Sequence, residues 1–426
     1  MARSKKYTPT KFMLPTSHYD KARADHAVNF IQSLKHTKGV WAGQPFLLFD
    51  WQEQIVRDIF DVIKPNGYRQ FTTAFVEICK KAGKSELAAA IALYLLAGDG
   101  EEGAEIYGCA NDRQQASIVF DVAKDMVLQC PALLKRMKIV ESQKRLVYLP
   151  TRSIYQALSS EVASKYGYNV HGCVFDELLS QPNRKLFDVM TKGSGAARKQ
   201  PLNFVITTAG SDKNSICYEV HAKAMDILEG RKHDPTFYPV VYSAPTEADW
   251  TDPKVWLSVN PSLGKTVDLE YYTSACESAK QNPAEEMQFR QFHLCQWTNS
   301  TVRWMPMDKW DACAFPVSPE RLRGRVCYGG LDLSSTTDII AFVLVFPPED
   351  EDGKYEILPY FWLPEETIEL RVKRDHVPYD VWDKQGLVFT TEGNVIHYGY
   401  IEEFIEELGT MYNIREIAFD RWGPCK

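Results

Sequence analysis

The chain has 426 residues, of which 49 are basic and 56 acidic, so its formal net charge is −7. Hydrophobic residues make up 45% and aromatic residues 12%, which excludes a disordered chain, a fibre or a coiled coil, and the length predicts two or three domains. No apolar run reaches about 18 residues, so no membrane span is predicted. The basic start at 1–6 lacks a following apolar segment, so no secretory signal is predicted.

The ten cysteines contain no Cys-x-x-Cys pair and no cluster with zinc-binding spacing. Several of them stand inside apolar, strand-like runs. Reduced, buried thiols of a cytosolic protein are therefore predicted.

Strand-like and helix-like segments alternate between about residue 70 and residue 245. The predicted strands are 71–78, 104–109, 170–175 and 203–207, with a hairpin formed by 146–149 and 153–155. The predicted helices are 85–97, which reads as buried, and 111–128, which follows an Asn-Asp cap signal. Continuous apolar strands separated by helices predict an α/β fold with a mostly parallel sheet covered on both faces.

The pattern changes after residue 245. A long polar helix is predicted from 268 to about 294, and a Trp-rich stretch follows it, so 246–325 is interpreted as a linker region. Beyond it, three consecutive antiparallel strands are predicted at 326–332, 339–346 and 355–362, then a helix at 400–412 and a fourth strand at 416–419. The predicted domains are 1–245, with an N-terminal extension at 1–45, and 326–426.

A phosphate-binding loop is predicted where strand 71–78 meets helix 85–97. The intervening residues, 79–85, read Cys-Lys-Lys-Ala-Gly-Lys-Ser. Backbone N–H groups at a helix N-terminus bind phosphate, Lys84 suits the β/γ-phosphates, and Ser85 suits Mg²⁺. The full motif has glycine where this chain has Ile78, and Gly-Lys-Ser alone also fits a helix that simply begins with a charged loop. The predicted ATP-binding residues here are Lys80, Lys81, Ala82, Gly83, Lys84 and Ser85.

Two later strands end in residues that suit the same site. Strand 170–175 leads into Asp176 and Glu177, which suit the Mg²⁺ shell and the attacking water respectively, although an Asp-Glu pair also commonly begins a solvated helix. Strand 203–207 ends in Thr207 and Thr208, which suit a sensor of γ-phosphate hydrolysis or an ordinary strand cap. Upstream, Gln52 is either a reader of the adenine edge or a surface residue. In this order, the three motifs indicate nucleotide hydrolysis.

This order of motifs resembles the large subunit of tailed-phage terminases, the ATP-driven DNA-packaging motors, over nearly the whole chain. In that family the first glycine of the loop is often replaced, and basic residues precede Gly-Lys-Ser, as Lys80 and Lys81 do here. The segments similar to other family motifs are 107–116 after the loop, 172–177 as Walker B, 207–209 as the coupling motif, and 260–264 and 296–310 in the linker. The resemblance implies an ASCE-type P-loop ATPase followed by an RNase H-like nuclease.

A second chemical site is predicted in the last domain. Asp332 ends its first strand and Asp420 follows its fourth, so the two carboxylates converge if those strands are neighbours. Paired carboxylates can hold two Mg²⁺ or Mn²⁺ ions, whereas without the resemblance they read as two unrelated loop aspartates. Asp338 is a further candidate ligand or a cap. The resemblance also implies a third acidic residue on a late helix and one more strand, so an incomplete nuclease half is predicted.

The resemblance implies double-stranded DNA, a small terminase subunit and the portal protein of the procapsid as partners of a homo-oligomeric ring in the host bacterial cytoplasm. ATP hydrolysis would drive duplex DNA into the procapsid, and the nuclease would cut concatemeric DNA. The candidates for the arginine that offsets transition-state charge are Arg113, Arg152, Arg184 and Arg198. The alternatives are a P-loop helicase or translocase of another family, and a non-catalytic binding or assembly protein.

Overall fold

The computed structural model describes residues 7–159, 167–193, 198–298, 307–333, 338–350, 353–375 and 377–419. The chain forms two compact units, divided between residues 306 and 307. The predicted linker 246–325 is therefore shared between the two units. Among the described helices, none is long and apolar enough to cross a membrane. The nine described cysteines are free thiols and seven of them are buried, as predicted.

The first unit is built on a large sheet. Its strands are β1 (His18–Tyr19), β2 (Val62–Ile63), β3 (Thr73–Glu77), β4 (Glu105–Ala110), β5 (Met137–Val140), β6 (Arg145–Tyr148), β7 (Ser153–Ser159), β8 (Val170–Asp176), β9 (Leu202–Thr207) and β10 (Phe237–Val241). Eight of them form one sheet in the order β10-β3-β9-β8-β4-β7-β6-β5, while β1 and β2 pair separately. The six strands from β10 to β7 are parallel, and β6 and β5 are antiparallel. The mostly parallel sheet and the hairpin β6–β7 are thus confirmed.

Helices cover both faces of this sheet. They are α1 (Lys21–Gln32), α2 (Asp50–Asp61), α3 (Lys84–Ala97), α4 (Arg113–Leu128), α5 (Pro131–Leu134), α6 (Lys185–Gly193), α7 (Ile216–Leu228), α8 (Pro253–Val259), α9 (Leu269–Ala279) and α10 (Pro283–His293). Side chains alternate across a strand, so Ala74 and Val76 of β3 join the core with α3 and α4, while Phe75 joins the opposite core with α7. Helix α3 is almost entirely buried, as its Ala- and Leu-rich sequence predicts.

The long helix predicted from 268 to 294 is wrong, because the structure breaks it into α9 and α10. Pro283 takes the first position of α10, and the preceding Asn282 is extended, with φ −141° and ψ 115°. Proline restricts the residue before it to extended conformations and favours the first turn of a helix, so it ends one helix and starts the next. Helices α8 to α10 share a small core of their own, which includes Trp256, Tyr272 and Phe289.

The second unit contains a five-stranded sheet in the order β14-β13-β12-β11-β15. Its elements are α11 (Met307–Ala312), β11 (Val326–Asp332), β12 (Ile340–Phe346), β13 (Glu356–Pro364), α12 (Ile368–Asp375), α13 (Tyr379–Lys384), β14 (Phe389–Thr391), α14 (Tyr398–Met411) and β15 (Asn413–Phe419). Strands β11, β12 and β13 are antiparallel neighbours, and β15 lies parallel beside β11. This is the predicted arrangement, with the short strand β14 added beside β13.

Candidate functional site

Three neighbouring parallel strands bring the predicted motifs to one edge of the large sheet. Glu77 of β3 pairs with Thr207 of β9, and Asp176 of β8 pairs with Ile206 of β9. Parallel strands end at the same edge, where ligands of open α/β sheets bind. The loop 78–83 and the residues after Asp176 and Thr207 therefore meet there.

Lys84 lies at the centre of this edge. Its Nζ donates to Thr208 Oγ1 at 2.7 Å and to the carbonyl oxygens of Ile78 and Cys79 at 3.3 and 3.2 Å. Its Nζ also lies 3.1 Å from Glu177 Oε1, in an ion pair in which the lysine side chain is 6% exposed. The helix begins directly at Lys84 because Gly83 adopts φ 91°, a left-handed conformation that glycine accepts without strain.

Ser85 and Asp176 form the part of the site that fits a divalent cation. The Ser85 hydroxyl donates to Asp176 Oδ2 at 3.0 Å. Asp176 Oδ1 is buried and has no hydrogen-bond partner among the described residues. Burial and the charge of Glu177 raise the pKa of Asp176 to about 6, against the opposing effects of Lys84 and Ser85. A buried carboxylate oxygen without a partner, next to a hydroxyl, matches the hard oxygen ligands that Mg²⁺ prefers.

Glu177 and Thr208 are connected by two hydrogen bonds. The backbone N–H of Thr208 donates to Glu177 Oε2 at 3.2 Å, and the Thr208 hydroxyl donates to Glu177 Oε1 at 3.4 Å. Glu177 has φ 56°, which is unusual for a residue with a side chain and is typical of functional sites. Thr207 faces elsewhere, since its Oγ1 accepts from Leu179 N–H at 3.2 Å.

Two residues that follow the large sheet in the chain, Ser262 and Thr266, hydrogen-bond to the predicted loop before Gly83. The carbonyl of Lys81 accepts from the Thr266 hydroxyl at 2.8 Å, and that of Ala82 accepts from the Ser262 hydroxyl at 3.1 Å. Lys80 behaves differently, because its Nζ lies 3.4 Å from the centre of the Phe292 ring. The structure therefore sets Lys80 against Phe292 rather than in the cluster around Lys84.

Gln52 is buried, with 1% of its surface exposed, so the alternative of a surface residue is wrong. Its Oε1 accepts from Phe49 N–H at 3.0 Å, and its Nε2 lies 3.5 Å from the position that a Cβ would take at Gly83. Gln52 lines a cavity of about 540 Å³ that continues from Gly83 and Ser85 and is walled mainly by apolar side chains. A mainly apolar cavity with a few polar groups has the composition of a small-molecule pocket.

Glu77 is not among the candidate site residues predicted from the sequence. It is fully buried, and its Oε2 lies 3.0 Å from His221 Nδ1 and accepts from Trp297 Nε1 at 3.1 Å. Its Oε1 has no hydrogen-bond partner among the residues described. The only sequence signal is a carboxylate at the end of an otherwise apolar strand.

The four candidate arginines occupy different places. Arg198 donates to Asn169, Glu101 and the backbone carbonyls of Glu102 and Gly103, just before the start of β4 and β8 and so away from the carboxyl ends of the strands. Arg184 is exposed and pairs with Asp188 and Glu219. Arg152 stands in the turn between β6 and β7, with φ 55°. Arg113 begins α4, and its side chain lies outside the described part of the chain.

In the second unit, Asp332 ends β11 and is exposed. Leu331 pairs with Phe419 of β15, so the strands that precede Asp332 and Asp420 are neighbours as expected, but Asp420 itself lies outside the described residues. Asp338 is exposed, and its charge contributes, after the Asp375 hydrogen bond, to the raised pKa of Arg374. Within the described ranges, no group of three acidic, histidine or cysteine side chains could hold a metal ion.

The families that match this chain describe an ATPase domain and a nuclease domain, and the family matches divide the chain near residue 230, whereas the two compact units divide it at 306/307. Residues 50–225 match the family "Terminase large subunit, ATPase domain", and residues 231–425 match "Terminase large subunit, endonuclease domain". The terminase large subunit of Enterobacteria phage HK97 is 32% identical over 406 residues, which cover 94% of this chain and 77% of that protein. Protein YmfN of Escherichia coli (strain K12) is 28% identical over 265 residues, covering 60% of this chain and 58% of that protein.

A crystal structure of the HK97 large terminase is similar to this one, with 31% identity and a TM-score of 0.58, over 94% of this chain and 80% of that one. The fold, the site and these matches define a two-part enzyme with a P-loop ATPase and a nuclease. The chain belongs to the terminase large subunit family, as the order of its motifs predicted. Its activity is ATP-driven DNA packaging together with cleavage of concatemeric DNA.

Proposed function

We propose that ATP is bound and hydrolysed at the edge formed by β3, β8 and β9. The observation that supports this most strongly is the cluster of Lys84, Glu177 and Thr208, in which one ammonium, one carboxylate and one hydroxyl meet within 3.4 Å. Lys84 binds the β/γ-phosphates, and the loop from Lys81 to Gly83 surrounds them with backbone N–H groups. Glu177 orients the attacking water as general base.

Ser85 and Asp176 would hold Mg²⁺, on the evidence of the buried Asp176 Oδ1 that has no hydrogen-bond partner among the described residues. When bound, the cation neutralises charge on the phosphate oxygens. Asp176 and Glu177 are adjacent in sequence, and the left-handed backbone at Glu177 gives them separate roles, since Asp176 faces Ser85 while Glu177 faces Lys84.

Thr208 is the residue that senses the state of the γ-phosphate. It contacts both Lys84 and Glu177, and the next two residues contact the segment that leads out of the first unit. Ala209 N–H donates to Cys295 Sγ at 3.3 Å, Gln291 Nε2 donates to the Ala209 carbonyl at 3.0 Å, and a Cβ at Gly210 would lie only 2.9 Å from the Trp297 ring. A shift of Thr208 on hydrolysis is therefore passed to residues 291–297.

This packing also supports a revised division of the chain. Residues 246–298 hold the phosphate loop through Ser262 and Thr266 and contact the end of β9 through Gln291 and Cys295. We assign them to the ATPase domain rather than to a separate linker. The nuclease then comprises the second unit, in which Asp332 and Asp420 are the proposed metal ligands.

The proposed partners follow from the packaging activity. Double-stranded DNA is the translocated substrate, a small terminase subunit selects it, and the portal protein of the procapsid receives it. A homo-oligomeric ring in the host bacterial cytoplasm is the proposed working form. The acidic net charge is compatible with DNA as substrate, because weak and transient phosphate contacts suit a motor that must keep moving.

Lys84→Ala and Glu177→Gln test the proposed ATP site in a DNA-stimulated ATPase assay. Both should lower turnover, Glu177→Gln by about 10²–10⁴-fold, the usual contribution of a general base. Lys192→Ala is a matched control, because that lysine is exposed and pairs only with Asp188 among the residues described. Unchanged turnover in both site variants would overturn the proposal.

A further inference from the structure

One wall of the cavity beside Gln52 is formed by a loop, residues 36–48, that none of the nucleotide-binding motifs includes. This loop contributes Trp41 and Phe46 to the lining, which also includes Phe49, just before α2, and Ile118 of α4. These are flat or branched apolar side chains, suited to the faces of a heteroaromatic base.

The loop is internally bonded, so its residues move together. His36 N–H donates to the Gln44 carbonyl and Gly43 N–H donates to the His36 carbonyl, both at 2.9 Å. The His36 ring packs edge-on against Phe46, with ring centres 4.6 Å apart. The position of His36 therefore sets the position of the wall.

Glu86 connects this wall to the phosphate-binding helix. Its Oε1 accepts from the Thr37 N–H and hydroxyl at 3.0 and 3.1 Å, and its Oε2 is hydrogen-bonded to His36 Nδ1. The His36 and Glu86 side chains are 16% and 19% exposed, so the pair is largely shielded from water. Burial acts to raise the pKa of Glu86, but the hydrogen bonds from His36 and Thr37 outweigh it and hold the pKa below its usual value.

Glu86 lies next to the proposed phosphate-binding residues in the chain. It follows Ser85 directly and lies in the first turn of α3, two residues after Lys84. The same helical turn therefore holds the proposed phosphate ligands on one side and the wall of the base pocket on the other.

We propose that Glu86 is a positioning residue for base recognition, which holds the wall 36–48 through His36 and Thr37 at a fixed distance from the phosphate loop. The inference rests on the proposed ATP site and adds a determinant of how the adenine end of the nucleotide is held. The described hydrogen bonds of Glu86 go to His36 and Thr37 rather than to the cluster around Lys84. Its loss frees the wall and leaves Lys84, Ser85 and Glu177 in place.

Glu86→Ala and the more conservative Glu86→Gln test this inference, with ATP and inorganic tripolyphosphate as the two probes. For Glu86→Ala, the KM for ATP should rise roughly tenfold or more, the scale of losing hydrogen bonds to a charged acceptor, while kcat stays within about threefold. The inhibition constant of tripolyphosphate, which lacks a base, should not change. Glu86→Gln keeps an amide oxygen for Thr37 and should show a smaller rise in the KM for ATP.

Glu53→Ala is the matched control, since Glu53 also accepts from a nearby side chain, Arg57 at 2.7 Å, but does not line the cavity. It should leave the KM for ATP unchanged. An unchanged KM in both Glu86 variants, or an equal weakening of ATP and tripolyphosphate, would overturn the inference. If Glu86→Ala fails to fold, Glu86→Gln decides by the same two probes. Failure of the proposed ATP site is distinct, because it appears as unchanged turnover in Lys84→Ala, with Glu86 intact.

Discussion

Replacing Thr208 by valine removes one hydroxyl from the centre of the proposed ATP site and keeps the branched shape of the side chain. That hydroxyl accepts from Lys84 Nζ at 2.7 Å and donates to Glu177 Oε1 at 3.4 Å, in a fully buried position. A hydrogen bond to a charged group contributes about 1.5–3 kcal/mol, and Lys84 keeps its contacts with Glu177 and two carbonyls, so the lower end applies. The expected loss of turnover is therefore roughly tenfold.

DNA-stimulated ATP turnover, measured beside equilibrium binding of ATP, checks this expectation. Binding should weaken less than turnover falls, because Thr208 acts on the Lys84–Glu177 pair rather than on the base pocket. Thr391→Val is the control, since Thr391 is also buried but its hydroxyl has no hydrogen-bond partner among the described residues and lies in the second unit. Turnover of Thr208→Val within about twofold of the parent would refute the reasoning.

Three further predictions concern pH, packing and the second site. Burial, and next the charge of Asp58, raise the pKa of Asp61 to about 9, against the nearby Arg57 and with a smaller contribution from Asp20. The folded carboxyl thus keeps its proton where the unfolded one ionises, so stability falls as pH rises between about 4 and 9, by about 1.4 kcal/mol per pH unit. Asp61→Asn should remove this slope. The difference in urea midpoint between the variant and the parent should therefore change between pH 5.5 and pH 7.5, and an equal difference at the two pH values would contradict the prediction. Gly172→Ala should destabilise the chain by about 1–3 kcal/mol, because its Cβ would lie 2.8 Å from Leu95, whereas Gly330→Ala has nothing within 4 Å and should be near neutral in thermal unfolding. Asp332→Asn should abolish Mn²⁺-dependent DNA cleavage while ATP turnover persists. Retained cleavage would show that Asp332 is not a metal ligand.

The strand ends are the part of the predicted site whose positions the sequence determines. The three apolar strands that lead into residues 79–85, Asp176-Glu177 and Thr207-Thr208 end at the same edge of a parallel sheet. The contacts of Lys84 form because β3, β9 and β8 are also neighbours in that sheet. For Asp332 and Asp420 the sequence leaves open whether the preceding strands are neighbours, and the structure pairs β11 with β15.

What the sequence does not reveal depends on contacts between distant residues. Glu77 meets His221 144 positions later, and Glu86 meets His36 50 positions earlier, and no local pattern marks either pair. Gln52 illustrates the same limit, since polar character alone favours the surface while its neighbours bury it. Proline chemistry favours a helix break at Pro283, whereas the polar segment from 268 to about 294 is interpreted as one continuous helix.

The ion pair between Lys84 and Glu177 links the proposed phosphate-binding group directly to the proposed general base. If Lys84 binds phosphate and Glu177 directs water, as proposed, the 3.1 Å ion pair between them means that each group is engaged by the other in this structure. We expect a bound phosphate to draw Lys84 away from Glu177 and so to release the carboxylate. On this proposal, binding of the nucleotide is what prepares the site for hydrolysis. Release of the product would let Lys84 and Glu177 form their ion pair again.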